Sequence, residues 1–177
     1  MAGRRPLEAE SIRGRLIVIF ATVGSHPTFK FDRFLRLLDS LPGDDLIVQF
    51  GPGQPPANVR YAVPWMTFEE VVDNMNSATH VVSHAGVGTI LTAINTGHVP
   101  VVFPRLRRFD ETVDDHQLEL AMAMAETGRV VVVEEADDLV GAIQRVPPRG
   151  SASASGDTGL ITAVRDELFG SRAPSQG

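Results

Sequence analysis

Ser83-His84-Ala85-Gly86-Val87-Gly88-Thr89 is the stretch of this chain best suited to chemistry. It follows the apolar pair Val81-Val82 and opens an amphipathic segment that reaches Thr96. A small glycine-bearing turn between a strand and a helix lets backbone N–H groups approach an anion at the positive end of the helix dipole. Such a turn calls for glycine even without a ligand, so Gly86 and Gly88 alone leave both readings open. Two nucleotide fingerprints are missing. The position three after Gly88 is Leu91, so G-x-G-x-x-G is not completed, and Gln49-Phe50 stands where an acidic ribose ligand would end the second strand. No Gly-Lys-Ser/Thr loop is present either. NAD(P) and Walker-type binding are therefore not expected.

His84 ends a strand, where a side chain points into a crevice; it could equally order the turn by bonding nearby backbone. His26, in the loop Gly24-Ser25-His26-Pro27, carries the same two readings. His80 and His98 read as ordinary positions at strand edges. Five histidines without a recurrent ligand spacing predict no metal site. Glu111, Asp114 and Asp115 could hold a cation, but acidic residues leading into a helix usually serve its dipole. His116 and Gln117 lie in the first turn of that helix. A right-handed crossover would face them to the same crevice, where they could bond sugar hydroxyls.

The bulk properties narrow the classes. The chain has 177 residues, 43% of them hydrophobic, which suits one domain with a sizeable core. A net charge of −6 argues against nucleic acid or an anionic membrane as a direct partner. The basic clusters Arg4-Arg5 and Arg105, Arg107, Arg108 are expected in solvated loops. No cysteine is present, which excludes disulfides and thiolate metal sites. No signal peptide is expected, because the first apolar run, residues 16–23, is short and flanked by Arg and Gly. No segment approaches the roughly 20 apolar residues of a membrane span. A cytoplasmic location is expected, with any membrane association made through a partner.

The elements that must position these residues alternate. Residues 1–14 are expected to be a flexible lead-in and 15–146 the folded domain. Strands are predicted at 15–23, 46–50, 59–63, 80–83, 99–103 and 129–133 from their apolar runs. Phe31, Phe34, Leu35, Leu38 and Leu41 recur at helical spacing before Pro42-Gly43. Further helices are predicted at 68–77, capped by Thr67, and at 87–96, 114–127 and 136–145. Residues 105–113 read as a polar loop. Pro, Gly and Ser mark 147–157 as a linker. A last amphipathic helix at 158–170 could dock on this domain or on a partner through Leu160, Val164, Leu168 and Phe169, and 171–177 is a flexible tail. This alternation predicts an α/β fold with a doubly wound, six-stranded, mostly parallel Rossmann-like sheet. In the order 3-2-1-4-5-6, strands one and four meet at the switch point. Their loops, Gly24-Ser25-His26-Pro27 and His84-Ala85-Gly86-Val87-Gly88, then flank one crevice.

Several landmarks recur in one order: Phe20-Ala21-Thr22-Val23-Gly24-Ser25-His26 with Phe31-Asp32-Arg33, then Ser83 to Ile90, Gly97 with Pro100 and Pro104, and His116-Gln117-Leu118-Glu119-Leu120-Ala121. Over residues 16–135 this series resembles the glycosyltransferase family 28 C-terminal domain. It is most similar to small stand-alone members: the subunit of the eukaryotic two-part transferase that adds the second GlcNAc to dolichol-diphosphate, and bacterial subunits of exopolysaccharide synthesis.

The resemblance implies the C-terminal half of a GT-B fold and a hexosyl transfer from a UDP-sugar. The implied acceptor is a polyprenyl-diphosphate-linked saccharide at the inner membrane face, presented by a separate membrane-anchored subunit. The UDP-sugar is a substrate, and neither metal nor cofactor is implied. The residue matching Phe68 would bind uracil through its backbone. Gly86, Val87, Gly88 and Thr89 would hold the diphosphate, Gly24 and Ser25 would line the nucleotide site, and Gln117 would contact the sugar. His26 is the local candidate for general base. The chain departs from the pattern at Thr92, where the family carries a ribose-binding Glu; a hydroxyl cannot form that charge-assisted bond. This departure keeps open a non-catalytic nucleotide-sugar-binding or scaffold subunit of the same pathway. A nucleotide-sugar epimerase is a further alternative, less well matched because such enzymes carry both halves in one longer chain.

Overall fold

The computed structural model describes residues 17–133 and 139–149. Their framework is a sheet of six strands in the order β3-β2-β1-β4-β5-β6. These are β1 (Ile19–Thr22), β2 (Leu46–Gln49), β3 (Tyr61–Val63), β4 (His80–His84), β5 (Val101–Phe103) and β6 (Val131–Val132). Every neighbouring pair is parallel, so the sheet is wholly rather than mostly parallel. At the switch point Thr22 lies opposite Ser83.

Both faces are covered, which explains why the strands read as continuous apolar runs. Ile19, Ala21, Leu46, Val48, Val82, Val101 and Phe103 face one side. There they pack on Phe34, Leu35 and Leu38 of α1 (Asp32–Leu38) and on Leu139, Ala142 and Ile143 of α5 (Leu139–Arg145). The intervening residues face the other side. Phe20 and Val81 meet Met75 of α2 (Phe68–Ser77) and Ala93 of α3 (Val87–Asn95). Val102 meets Ile90 of α3 and Ala121 and Met124 of α4 (His116–Glu126). Helices thus lie on both faces and change side after β3. This doubly wound arrangement opens a crevice at the carboxyl ends of β1 and β4.

Some boundaries differ from the apolar runs. The fifth strand begins at Val101, after Pro100, which lacks an N–H for the ladder. Helix α4 begins at His116 rather than Asp114, because both aspartates are used in the turn before it: Asp114 Oδ1 accepts from the His116 N–H (3.2 Å) and Asp115 Oδ1 from the Arg107 N–H (2.9 Å). Within the predicted loop 105–113, Arg107–Phe109 form a 3₁₀ turn closed by Asp110, at φ 54°. The predicted lead-in, the start of the last core helix at 136–138, the linker from 150 on, the helix at 158–170 and the tail lie outside the described residues. Among the described residues, no helix is long and apolar enough to cross a membrane.

At the amino-terminal ends of the strands, Arg149 draws the end of the described chain across the last turns of α2 and α3. Its Nε donates to the Thr96 carbonyl (2.6 Å), and its two terminal nitrogens reach the carbonyl and side-chain oxygen of Asn76. A cation at two helix C-termini meets the negative ends of their dipoles.

Candidate functional site

The crevice is built around one imidazole. His84, the last residue of β4, sends its ring toward the loop after β1, and two glycines make room for it. A Cβ on Gly24 would lie 2.5 Å from His84 Cε1, and one on Gly86 would collide with His84 Nε2. Gly24 also adopts φ +82°, which favours glycine by itself. Thr22 fixes this turn: its hydroxyl accepts from the Gly24 N–H (3.0 Å) and donates to Gln49 Oε1 (2.5 Å). Gln49, where a dinucleotide fold would place an acid, thus anchors the turn.

His84 Nδ1 is buried without a hydrogen-bond partner. Burial, and next the nearby Arg105 cation, push the His84 pKa down to about 4, while the Thr22 backbone pulls weakly the other way. The imidazole is therefore neutral at neutral pH, and beside its Thr22 backbone hydrogen bond its buried Nδ1 makes none.

Helix α3 starts beside this ring. Its N-cap is Gly86, extended at φ −73° and ψ 129°, and no side chain caps the helix. The N–H groups of Val87, Gly88 and Thr89 are left at the positive end of the dipole. A Cβ on Gly88 would meet nothing within 4 Å, so the surface above the turn is open. Thr92 Oγ1 donates to the Gly88 carbonyl (2.7 Å), which turns its hydroxyl proton back onto its own helix.

The other predicted residues lie on the loop after β1 and at the starts of α2 and α4. Ser25 and His26 are exposed on the loop after β1. His26 Nδ1 accepts from the Thr28 and Phe29 N–H groups (3.3 and 3.4 Å), and its ring rests on Phe29 at 4.7 Å. With Nδ1 accepting, the neutral ring carries its proton on Nε2, which faces outward as a donor. His116 is exposed, with Nδ1 3.4 Å from Glu119 Oε2. Gln117 carries a buried Oε1 without a partner. Beside the start of α4, Pro104, Leu106, Arg108, Asp115 and Leu118 line a cavity of about 170 Å³. Phe68 opens α2 and is 72% exposed. It follows β3, three strand spacings from β4, or about 14 Å across the sheet.

One sequence expectation needs correction, and three other residues prove to be structural. Arg105 is not in solvent: it is 3% exposed and donates to the carbonyls of Val23, Phe29, Lys30 and Glu111. Glu111 does not serve a cation site, because its carboxylate takes Arg33 (3.0 and 2.7 Å) and the Leu106 N–H (3.1 Å). His80 and His98 are buried structural groups, bonded to the carbonyls of Val146 (3.3 Å) and Met75 (2.8 Å). Burial lowers the pKa of both. Arg33 and Arg105 carried the one available signal, since each sits next to aromatic or apolar residues able to bury its stem. Among the described residues, no group of three or more His, Asp or Glu side chains is placed to hold a metal.

The same architecture occurs in known glycosyltransferases. The structure is similar to the glycosyltransferase SnogD from Streptomyces nogalater (TM-score 0.55, 23% identity, covering 94% of this chain and 43% of that one). It is also similar to the glycotransferase of kitacinnamycin (TM-score 0.53, 22% identity, 94% and 43%) and to CalG4, the calicheamicin glycosyltransferase (TM-score 0.53, 19% identity, 87% and 40%). The chain thus spans about two-fifths of the length of these structures, and the part it matches is the C-terminal half of the GT-B fold. A search of the curated proteins gives no match. The glycosyltransferase family 28 C-terminal domain matches residues 18–156, which is most of the chain, and this chain belongs to that family.

Proposed function

We infer that this chain is the donor-binding part of a glycosyltransferase that moves a hexosyl group from a UDP-sugar to a polyprenyl-diphosphate-linked saccharide. The observation that carries the reading is the neutral His84 imidazole seated between Gly24 and Gly86, beside the uncapped N-terminus of α3. In the transfer, an acceptor hydroxyl attacks the anomeric carbon, the bond from that carbon to the phosphate oxygen breaks, and UDP leaves with the electron pair. Charge grows on the diphosphate. The N–H groups of Val87, Gly88 and Thr89 suit that charge, and fixed dipoles need no reorganisation during the reaction.

In this reading Gly24 and Ser25 line the nucleotide, the Phe68 backbone holds the base, and His116 and Gln117 bond the sugar. The unpartnered Oε1 of Gln117 supports the last assignment. The acceptor proton goes to a base on an acceptor-binding, membrane-anchored partner, or to His26 Nε2 in the tautomer that carries its proton on Nδ1, which gives up the Thr28 and Phe29 bonds. Titration of the chain with UDP by calorimetry tests the reading; no heat of binding at millimolar UDP rejects it.

One observation favours a second reading. The hydroxyl of Thr92 is committed to the Gly88 carbonyl, where the family carries a ribose-binding Glu. A scaffold subunit without catalysis would tolerate this. Thr92→Glu separates the two: in a donor site it tightens UDP binding by up to about tenfold, the worth of one charge-assisted bond, and in a scaffold it changes nothing.

A further inference from the structure

Arg105 follows Pro104 at the carboxyl end of β5. Its guanidinium donates to four main-chain carbonyls: Val23 (3.0 Å), Phe29 (3.2 Å), Lys30 (3.3 Å) and Glu111 (3.1 Å). It also lies over the Phe31 ring, 4.4 Å from the centroid. Three of the acceptors belong to the loop after β1 and the fourth to the loop after β5. Glu111, itself 5% exposed, closes the circuit by taking Arg33 and the Leu106 N–H on its carboxylate. Arg33 in turn donates to the Pro104 carbonyl (2.9 Å).

A buried cation of this kind is not the cheapest way to stabilise a core, since apolar residues of similar volume often do as well or better. It is well suited to holding irregular backbone, where carbonyls point inward without ladder partners. The Val23 carbonyl precedes Gly24, and Gly24 bounds the His84 ring. The same guanidinium holds the Glu111 carbonyl on the segment that runs on to His116 and Gln117. One side chain therefore ties the loop that carries Gly24 to the segment that leads into α4.

We propose that Arg105 is a positioning residue of the donor site, anchoring the loop that carries Gly24, Ser25 and His26 to the segment that leads into His116 and Gln117. The proposal rests on the UDP-sugar reading of the crevice. Arg149 supplies a matched control, because it too binds two backbone carbonyls, those of Asn76 and Thr96, but does so at the amino-terminal ends of the strands, away from the crevice.

The test uses the full chain and the variants Arg105→Lys and Arg149→Lys. UDP affinity is measured by calorimetry, and amide hydrogen exchange over residues 24–31 is measured without ligand. A lysine keeps the charge but cannot fork to four carbonyls or lie flat on Phe31. Arg105→Lys is expected to lose about tenfold or more in UDP affinity, with faster exchange over 24–31. Arg149→Lys is expected to lower the Tm while keeping the UDP affinity and that exchange as in the unsubstituted chain. Unchanged UDP affinity in Arg105→Lys, or an equal loss in Arg149→Lys, overturns the proposal. If the unsubstituted chain itself binds no UDP, the donor reading fails on its own, and the exchange comparison alone decides whether Arg105 anchors the loop; unchanged exchange then refutes it. Should Arg105→Lys not fold, Arg33→Lys, which loosens Glu111 from its other side, is judged by the same two measurements.

Discussion

A methyl group added at Gly86 runs into the His84 imidazole, whereas at Gly88 it meets nothing within 4 Å. The two glycines therefore answer to different demands, one to the ring behind the turn and one to whatever approaches from the front. Gly86→Ala is expected to destabilise the chain by about 1–3 kcal/mol, the usual range for overpacking, and to abolish UDP binding. Gly88→Ala is expected to raise stability by up to about 1 kcal/mol through helix propensity while weakening UDP binding. Urea unfolding and calorimetry on both variants check the pair; parallel losses of stability would contradict the geometry. His84 adds a pH dependence. Its imidazole takes a proton near 6.5 when unfolded and only near 4 when folded. The stability it contributes as a neutral group is complete above about pH 6.5 and is lost as the pH falls through 4, to an extent of at most about 3 kcal/mol. The lowered His80 and His98 act with the same sign. Unfolding free energy measured at pH 7.5, 6 and 4.5 should fall stepwise, and His84→Asn should flatten the fall.

Helix α2 shows how much an element can announce itself. Thr67 and Glu70 form a capping box, the Thr67 hydroxyl accepting from the Glu70 N–H (3.2 Å) and Glu70 Oε2 from the Thr67 N–H (2.6 Å). Thr67→Ala is expected to cost about 1 kcal/mol, read as a lower Tm, and to loosen the turn on which Phe68 sits. Thr67 was legible as the cap because threonine is a preferred N-cap residue; its reciprocal bond with Glu70 is seen only in the structure. The strands were legible for a related reason: a sheet covered on both faces writes apolar runs, and their alternation with helices limits the topology. The crevice loops followed from that topology. The fit of His84 between Gly24 and Gly86 did not, because no sequence pattern says that a ring will settle against a glycine on another strand. Arg105 was misplaced for the same reason. In a polar loop with Arg107 and Arg108 it looks solvated, and only the folded chain brings it to carbonyls as far as 82 residues away.

As a whole molecule the chain is similar to about two-fifths of each larger glycosyltransferase. A crevice at the carboxyl ends of the central strands needs a second wall to enclose the acceptor. Transferase activity is therefore expected to be low for this chain alone and to rise when an acceptor-binding, membrane-anchored subunit is added, measured as transfer of labelled sugar to a polyprenyl-diphosphate acceptor. Full activity of the isolated chain would remove the need for a partner. The pairing of β1 with β4 carries a further consequence. Ile19 pairs with His80, across a long stretch of intervening chain, and such distant contacts close late because loop entropy must be overcome first. Gly24 stands on one side of that seam, and His84 and Gly86 on the other. A chain still emerging from the ribosome, with β4 not yet made, holds only half of the crevice and has nothing to offer a nucleotide. Once the seam has closed, UDP at about a hundred times its Kd would add about 2.7 kcal/mol. The bound nucleotide would then act as a clasp on the joint of the sheet that closes the longest loop.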